Sequence, residues 1–343
     1  MHIFNNINDT KNSLPDTGVA VLATGGTIAG RSGDLSRAGG YTPGVIEAEA
    51  LLASVPGLDT SQIVRVRQVA NIGSEHMNEQ VWFALARALT EEAADPAVAG
   101  VVVLHGTDTM EETAFFLDLV QSSPKPVVTT GAMRPADALG ADGPANMANA
   151  ICLAQSKAAR NRGVLVAMNE KIHSAARVFK TDTVNLDAFQ SSPGGPLGRI
   201  VGGEPLFYEQ LPDAESRRRA DFSLSGIDKL PRVEILYGHA GQGRELIDAA
   251  VASGAEGIVH AGVGMGNIHE TARAALCEAA AGGVPVVCAS RVPFGPVPLD
   301  RAMRRDRLIA ARNLNPQKAR VLLQLALTIA WEPDAIQRLF DPY

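Results

Sequence analysis

VAVLATGGTIAG (Val19–Gly30) is the stretch of sequence that sets the expected fold. Its first half consists of apolar, largely β-forming residues and predicts a buried strand, after which Gly25 and Gly26 allow a sharp turn. The turn would present the hydroxyls of Thr24 and Thr27 at the carboxyl edge of a sheet. That edge is where ligands bind in open α/β folds.

The glycines of this turn leave backbone N–H groups accessible to an anionic ligand or a developing oxyanion. A Gly-rich turn between a strand and a helix is by itself common, so this one alone would not indicate a site. A second strand that runs into hydroxyl side chains, VVVLHGTDT at Val101–Thr109, favours a functional interpretation.

The bulk properties are those of an ordinary globular protein. With 343 residues the chain is longer than one hydrophobic core usually serves, so we expect two domains. It is 46% hydrophobic and 20% charged, and its net charge of -6 argues against a nucleic-acid or anionic-membrane partner.

The three cysteines, Cys152, Cys277 and Cys288, are too widely spaced for a disulfide framework or a metal site. The first residues are polar, without the apolar core of a signal peptide, and no apolar run could span a bilayer. We therefore expect a soluble cytoplasmic protein. The alternative is a periplasmic protein whose leader was removed before residue 1.

Predicted strands and helices alternate along the chain, which is typical of a mainly parallel sheet with helices on both faces. Prolines and a basic cluster interrupt this alternation after residue 202. We predict a larger N-terminal α/β domain, mainly a parallel sheet flanked by helices, at 1–208. A linker at 209–228 and a smaller C-terminal α/β domain at 229–343 follow.

Three local predictions bear on the site. Residues 31–44 lack periodicity and read as a mobile loop that carries Tyr41. Residues 169–183 are interpreted as a polar segment. Asn315-Pro316 predicts a helix start, with a capping side chain before a proline, and this helix should run to about Trp331.

The candidate site combines polar side chains from the predicted strand ends with two from other segments. They are Thr24, Thr27, Ser74, Glu75, Thr107, Asp108, Tyr41 and Lys180. A threonine hydroxyl becomes a nucleophile only when a neighbouring group accepts its proton. Tyr41 could do this, and Lys180 beside Thr107 and Asp108 would form a Thr–Asp–Lys relay. The set suits a zwitterionic amino acid undergoing acyl transfer.

Each residue also has a structural interpretation. Thr107–Thr109 could cap a helix at 110–120. Lys180 alone would more often lie on the surface, and Tyr41 would more often touch the rim of a site. His105 is expected to be a hydrogen-bonded structural residue rather than a base.

Motifs of several other enzyme classes are missing from the sequence. There is no P-loop, no G-x-S-x-G elbow and no H-E-x-x-H zinc motif, and the histidines show no metal-ligand spacing. Gly262–Gly266 lacks the glycine spacing of a dinucleotide-binding loop and is interpreted as a turn that exposes backbone.

Two long motifs, ATGGTIAG at 23–30 and HGTDTMEETA at 105–114, resemble the paired signatures of the bacterial type II L-asparaginases and glutaminase-asparaginases. The similarity continues in NIGS at 71–74, KPVVTTGAMRP at 125–135, AGVGMGN at 261–267, SRVP at 290–293 and LNPQKARVLLQLAL at 314–327. It covers nearly the whole chain from residue 19 onward.

The resemblance implies hydrolysis of L-asparagine to L-aspartate and ammonia, with no metal or organic cofactor. It implies that Thr27 is the nucleophile, forms an acyl-enzyme and is assisted by Tyr41. Thr107, Asp108 and Lys180 would form a second triad, which in this family is assigned either to activating water or to supporting the first threonine.

The same resemblance implies the substrate contacts and the assembly. The substrate-binding residues would be Gly26, Ser74, Glu75, Thr107, Asp108 and Asn267. Asn267 would reach the site of a neighbouring subunit. The family is typically a homotetramer built from intimate dimers, which would bind the small-molecule substrate between subunits.

The chain departs from the family pattern in three ways. Position 75 is Glu where many asparaginases carry Gln, as in members that also accept glutamine. The family often supplies a glutamate from the partner subunit after SRVP, whereas 294–310 contains only Asp300 and Asp306 as acidic residues. The leader and disulfide of the best-known periplasmic members are also missing.

We therefore predict an L-asparagine amidohydrolase. The alternatives are a glutaminase-asparaginase of dual specificity, a non-catalytic amino-acid-binding homologue, and an amidase subunit of a tRNA-dependent transamidation complex. The sequence leaves the preference between asparagine and glutamine open, because a pocket discriminates one methylene by only about 1–3 kcal/mol.

Overall fold

The computed structural model describes residues 17–32, 41–42, 44–209 and 222–343, with the backbone alone at 32 and 41. The strands are β1 (Gly18–Gly25), β2 (Arg31–Ser32), β3 (Tyr41–Thr42), β4 (Ile63–Ile72), β5 (Val98–Leu104), β6 (Val127–Thr130), β7 (Val164–Met168), β8 (Lys171–Ser174), β9 (Val178–Lys180), β10 (Phe189–Ser191), β11 (Gly198–Val201), β12 (Glu204–Phe207), β13 (Val233–Tyr237), β14 (Gly257–Gly262), β15 (Val286–Ser290) and β16 (Ile309–Ala310). The α-helices are α1 (Ala48–Ala53), α2 (Glu79–Ala94), α3 (Met110–Val120), α4 (Gly143–Gln155), α5 (Glu245–Ala252), α6 (Glu270–Ala281), α7 (Arg301–Arg305), α8 (Pro316–Ala326) and α9 (Pro333–Phe340).

The larger sheet has eight strands in the order β12-β11-β8-β7-β6-β5-β1-β4. Strands β4, β1, β5, β6 and β7 are parallel, and the remaining three add to the sheet in antiparallel fashion. Strand β1 lies between β4 and β5, so the chain changes direction across the sheet at β1. Such a switch point opens a crevice at the carboxyl ends of the strands.

Strand β1 is buried along its whole length, as expected for the interior of a parallel sheet. Alternate side chains pack on opposite faces. Val19 and Val21 belong to the core beneath α1 and α4, whereas Ala20 and Leu22 belong to the core beneath α2 and α3. This double covering holds the end of β1 firmly.

The C-terminal part forms a four-stranded parallel sheet in the order β13-β14-β15-β16. Helix α6 covers one face with a separate apolar cluster. Helices α8 and α9 cover the other face, and their apolar residues join the core beneath α2 and α3. The two sheets therefore share a continuous hydrophobic core.

The predicted fold class, a larger mainly parallel sheet domain with helices plus a smaller C-terminal α/β unit, is confirmed. The predicted linker at 209–228 falls largely on 210–221, which lie outside the described residues, so the domain boundaries stay a prediction. In the described parts of the chain, no helix combines the length and apolar character needed to cross a bilayer.

Two local predictions are wrong. Residues 169–183 are more than a polar segment, because they contain β8 and β9. These strands are too short to show a clear period. Helix α8 ends at Ala326 instead of running to about Trp331. The Thr328 hydroxyl donates to the carbonyl of Leu325 at 2.7 Å and competes with the regular helical bonds there.

Candidate active site

The turn after β1 is formed by two glycines with left-handed backbone. Gly25 has φ 99° and Gly26 has φ 82°. A Cβ added at Gly26 would lie 2.3 Å from the Cα of Gly106, so the turns after β1 and β5 touch backbone to backbone. Thr27 follows Gly26 and Thr107 follows Gly106, so the two threonines lie on neighbouring turns at the switch point.

The two threonines of the first turn have different surroundings. Thr24 is buried, and its hydroxyl donates to the carbonyl of Leu104 at 3.1 Å, which ties β1 to β5. Thr27 begins a short 3-10 helix at Thr27–Ala29 and is 7% exposed. Of the two, Thr27 is the one placed beyond the strand end.

Ser74 brings a third loop to the same place. It follows β4 and is buried. Its hydroxyl accepts the N–H of Asp108 at 3.1 Å, and its carbonyl accepts the hydroxyl of Thr109 at 2.8 Å. A Cβ on Gly106 would lie 2.8 Å from the Ser74 hydroxyl oxygen, so glycine is needed for this close packing.

Lys180 joins the site from β9. Its ammonium group donates to Thr107 Oγ1 at 2.8 Å and to Asp108 Oδ1 at 2.6 Å. The Lys180 side chain is 16% exposed, whereas that of Asp108 is 61% exposed. The three groups of the expected relay are therefore in direct contact, with the carboxylate open to solvent. Their catalytic roles stay a prediction.

The capping alternative for Thr107–Thr109 does not describe these contacts. Thr109 is the N-cap residue of α3 but forms no side-chain capping hydrogen bond. Its hydroxyl bonds to Ser74, and the hydroxyl of Thr107 accepts from Lys180. These side chains link loops to one another instead of closing the end of the helix.

The other predicted site residues lie at the periphery or outside the described side chains. Glu75 has a 56% exposed side chain, with its carboxylate 3.7 Å from His76 Nε2. Asn267 is exposed at the end of β14, where its backbone pairs with Val263. The side chain of Tyr41 lies outside the described residues.

His105 is a structural residue, as expected. It is fully buried, and burial lowers its pKa to about 4, so the ring is neutral near pH 7. Nδ1 lies 2.6 Å from the carbonyl of Gly106. Because a carbonyl can only accept, Nδ1 carries the proton and donates. The ring therefore fixes the turn that precedes Thr107.

Sequence reasoning missed Glu111 as part of the site region. It is 3% exposed, and its carboxylate accepts the backbone N–H of Lys180 at 3.0 Å. Burial raises the pKa of Glu111 above its usual value. Helical spacing places Glu111 on the same buried side as Phe115, and an acidic residue at such a position was the available signal.

Among the described residues, no group of three or more histidine, cysteine or acidic side chains is arranged to hold a metal ion. The three cysteines are free thiols. Cys288 is buried, and burial raises the pKa of its thiol to about 12. Among the described residues, the groups joined by hydrogen bonds at these strand ends include the hydroxyls of Ser74 and Thr107, the carboxylate of Asp108 and the ammonium of Lys180.

Comparison with known proteins identifies the family that shares this fold and these motifs. Fold and site together define a two-domain α/β enzyme that hydrolyses amides. Residues 18–213 match the family model described as Asparaginase, N-terminal, and residues 232–340 match the Glutaminase/Asparaginase C-terminal domain. The chain belongs to the asparaginase family, as the motifs predicted.

Similar proteins cover nearly the whole chain. L-asparaginase 2 of Escherichia coli is 43% identical over 96% of this chain and 94% of its own length. The glutaminase-asparaginase of Pseudomonas fluorescens is 39% identical over 98% of this chain and 92% of its own length. The crystal structure of a probable cytoplasmic L-asparaginase from Campylobacter jejuni superposes with a TM-score of 0.90 at 42% identity, covering 95% of this chain and all of that one.

Proposed function

We propose that the chain hydrolyses the side-chain amide of L-asparagine to L-aspartate and ammonia, with Thr27 as nucleophile. The observation that carries the proposal is the contact of Lys180 Nζ with Thr107 Oγ1 and Asp108 Oδ1, on a turn that packs against the turn of Thr27. Relatives named L-asparaginase and glutaminase-asparaginase support it.

In the proposed first step, Thr27 Oγ attacks the amide carbon and its proton passes to a neighbouring group, with Tyr41 assisting. Backbone N–H groups at the glycine turns stabilise the negative oxygen of the tetrahedral intermediate. The C–N bond then breaks, the nitrogen takes up the proton, and ammonia leaves an aspartyl ester on Thr27.

In the second step, water attacks the ester carbon, and Thr27 regains its proton as aspartate departs. The Thr107–Asp108–Lys180 group serves either to activate this water or to support Thr27. Isolation of an aspartyl-enzyme from a Thr107→Ala variant by intact-protein mass spectrometry would assign it to the water step. Loss of the burst of ammonia would assign it to Thr27.

We propose that the substrate's charged ends are held by Gly26, Ser74, Glu75, Thr107 and Asp108. A carboxylate at Asp108 suits the substrate's ammonium group, and hydroxyl and N–H donors suit its carboxylate. Asn267 would complete the site of a neighbouring subunit in a homotetramer built from intimate dimers. Its exposure at the end of β14 supports this role.

Alanine substitution of the two threonines tests the proposal. We expect Thr27→Ala and Thr107→Ala each to lower kcat by about 1,000-fold or more while the protein stays folded. Thr113→Ala is the matched control. It removes the hydroxyl that accepts from the Trp82 indole, away from the site, and should keep kcat. Normal ammonia release from both site variants would end the proposal.

Dual specificity is the second candidate function. It is favoured by Glu75 and by the relatives named glutaminase-asparaginase. Side-by-side kinetics on asparagine and glutamine decide between the two. Equal kcat/KM values for the two substrates would indicate a dual-specificity enzyme instead of an asparaginase. Binding of aspartate without turnover of either substrate would indicate a non-catalytic homologue.

For the location, we propose the cytoplasm, with the periplasm as the alternative. The Campylobacter jejuni neighbour is named a probable cytoplasmic L-asparaginase, and a Haemophilus influenzae relative is named a probable periplasmic L-asparaginase. Cell fractionation with antibody detection distinguishes the two.

A further inference from the structure

Lys180 lies on β9, a strand that is not part of the eight-stranded sheet. Strand β9 has three residues, and among the described strands it pairs with β10 alone, in a two-stranded sheet separate from the eight-stranded one. A lysine that must keep Thr107 and Asp108 within hydrogen-bond distance needs firmer support than such a short ribbon gives. The contacts of β9 show where this support comes from.

The first support is Glu111 of α3. One carboxylate oxygen of Glu111 accepts the backbone N–H of Lys180 at 3.0 Å. The other oxygen accepts from the side chains of Asn315, at 3.3 Å, and Gln317. Both of these residues lie at the start of α8, so Glu111 connects the C-terminal domain to the backbone of the lysine.

The second and third supports come directly from the C-terminal domain. Lys318 is 2% exposed, and its ammonium donates to the carbonyl of Val178. The ring of Phe179 packs edge-on against Phe294, with ring centroids 5.3 Å apart. Each of the three residues of β9 is thus held, directly or through Glu111, by the C-terminal domain.

The charges in this cluster are a poor source of stability. Burial raises the pKa of Glu111 and lowers the pKa of Lys318 to about 8, which shows that the fold disfavours both charged forms. Apolar side chains of similar size at these two positions would often be as stable as the two buried charged groups. What an apolar pair could not do is accept the N–H of Lys180.

We propose that Glu111 is a positioning residue for Lys180, and that the start of α8 fixes Glu111. The C-terminal domain then sets the place of the lysine within its own subunit, in addition to any contribution it makes to a neighbouring site. The proposal rests on the catalytic role of Lys180 proposed above.

The test compares two buried carboxylates of α3. Asp118 is also 3% exposed and also accepts a backbone N–H, that of Val164 at 2.7 Å, which belongs to β7 and not to β9. The variants are Glu111→Leu, Glu111→Gln, Asp118→Leu and Asp118→Asn. Ammonia release is measured per folded molecule, with kcat and KM determined separately.

For Glu111→Leu we expect kcat to fall about 10- to 100-fold with KM within threefold, because a displaced lysine affects the reaction more than it affects binding. Glu111→Gln should recover most of kcat, since its amide oxygen can still accept the Lys180 N–H. Asp118→Leu and Asp118→Asn should lower stability and keep kcat within twofold. A crystal structure of Glu111→Leu should show Lys180 Nζ beyond hydrogen-bond distance of Thr107 Oγ1.

Three outcomes would overturn the proposal. They are an unchanged kcat in Glu111→Leu, an equal loss in Asp118→Leu, and no recovery in Glu111→Gln. If Glu111→Leu does not fold, Gln317→Leu replaces it, with an expected loss of about three- to tenfold in kcat, and an unchanged kcat there overturns the proposal. A wild-type chain that releases no ammonia would instead refute the proposed function, and with it the premise for Lys180.

Discussion

Thr24 and Thr27 lie on one turn, yet their hydroxyls are placed differently. Thr24 lies inside β1, and its hydroxyl donates to the carbonyl of Leu104. Thr27 follows the glycine that contacts the second turn. The sequence identified both as hydroxyls at a strand end. Which of them lies beyond the sheet depends on where the strand stops, and this boundary is the least certain part of a sequence prediction.

Glu112 gives a prediction at the scale of a single residue, which concerns how the stability of the fold depends on pH. Burial, and then the neighbouring Glu111, raise its pKa to about 7, while Arg320 and Lys318 oppose the shift. The unfolded chain ionises Glu112 near pH 4.5, so between pH 4.5 and 7 the unfolded state loses a proton that the folded state keeps. Stability therefore falls as pH rises through this window, and the penalty is complete above pH 7.

Replacing Glu112 with Gln should remove that penalty. We expect Glu112→Gln to match the wild type near pH 4 and to exceed its free energy of unfolding by up to about 3 kcal/mol at pH 8. Urea denaturation at both pH values measures this. Glu49→Gln, at an exposed position of α1, is the control and should stay within about 0.5 kcal/mol throughout. A pH-independent effect of Glu112→Gln would contradict the assignment.

At the scale of elements, the turn after β1 depends on Gly26 for two separate reasons. Its φ of 82° disfavours any other residue, and a Cβ would lie 2.3 Å from the Cα of Gly106. Gly57 has a similar φ of 74° but nothing within 4 Å of an added Cβ. Comparing substitutions at Gly57 and Gly26 therefore separates the cost of backbone strain from the effect of the contact between the two turns.

We expect Gly57→Ala to cost about 1–2 kcal/mol of stability and to keep kcat. Gly26→Ala should cost more and lower kcat by about 100-fold, since the turns of Thr27 and Thr107 would be pushed apart. Denaturation and ammonia-release assays on both variants measure the difference. Similar kcat values in the two variants would show that the contact between the turns does not matter for activity.

Prediction of the elements succeeded where the sequence signal is local and long. The apolar runs of β1 and β5 and the Asn315-Pro316 start of α8 are examples, and they are present in the structure. The signal failed for β8 and β9, whose few residues alternate too briefly to define a period. Lys180 lies on β9, so no local pattern indicated that it belongs to a strand.

At the scale of the whole molecule, the two sheets share one core. Phe115 and Leu119 of α3 belong to the same apolar cluster as Leu322 and Leu325 of α8. An interface of this kind leaves little freedom for the domains to move or to unfold separately. The placement of Lys180 by α8 requires this rigidity.

We therefore expect a single cooperative unfolding transition. Leu322→Ala, in the C-terminal domain, should cost about 2–5 kcal/mol and should lower the Tm reported by Trp82 in the N-terminal domain, which stacks on Phe116. Because the second tryptophan, Trp331, lies in the C-terminal part, fluorescence is followed in a Trp331→Phe background, and calorimetry and fluorescence at one protein concentration should give the same Tm. Two resolved transitions, or an unchanged Trp82 signal in Leu322→Ala, would show that the domains unfold independently.

The sequence by itself determined the alternation of strands and helices, the two glycine turns and the hydroxyls that follow them. These features depend on residues close together in the chain, where periodicity and backbone conformation are local properties. Only the tertiary structure decided that Lys180 meets Asp108 across 72 positions and that Glu111 meets Gln317 across 206. Those contacts arise from the packing of whole elements against one core, and no short stretch of sequence carries that information.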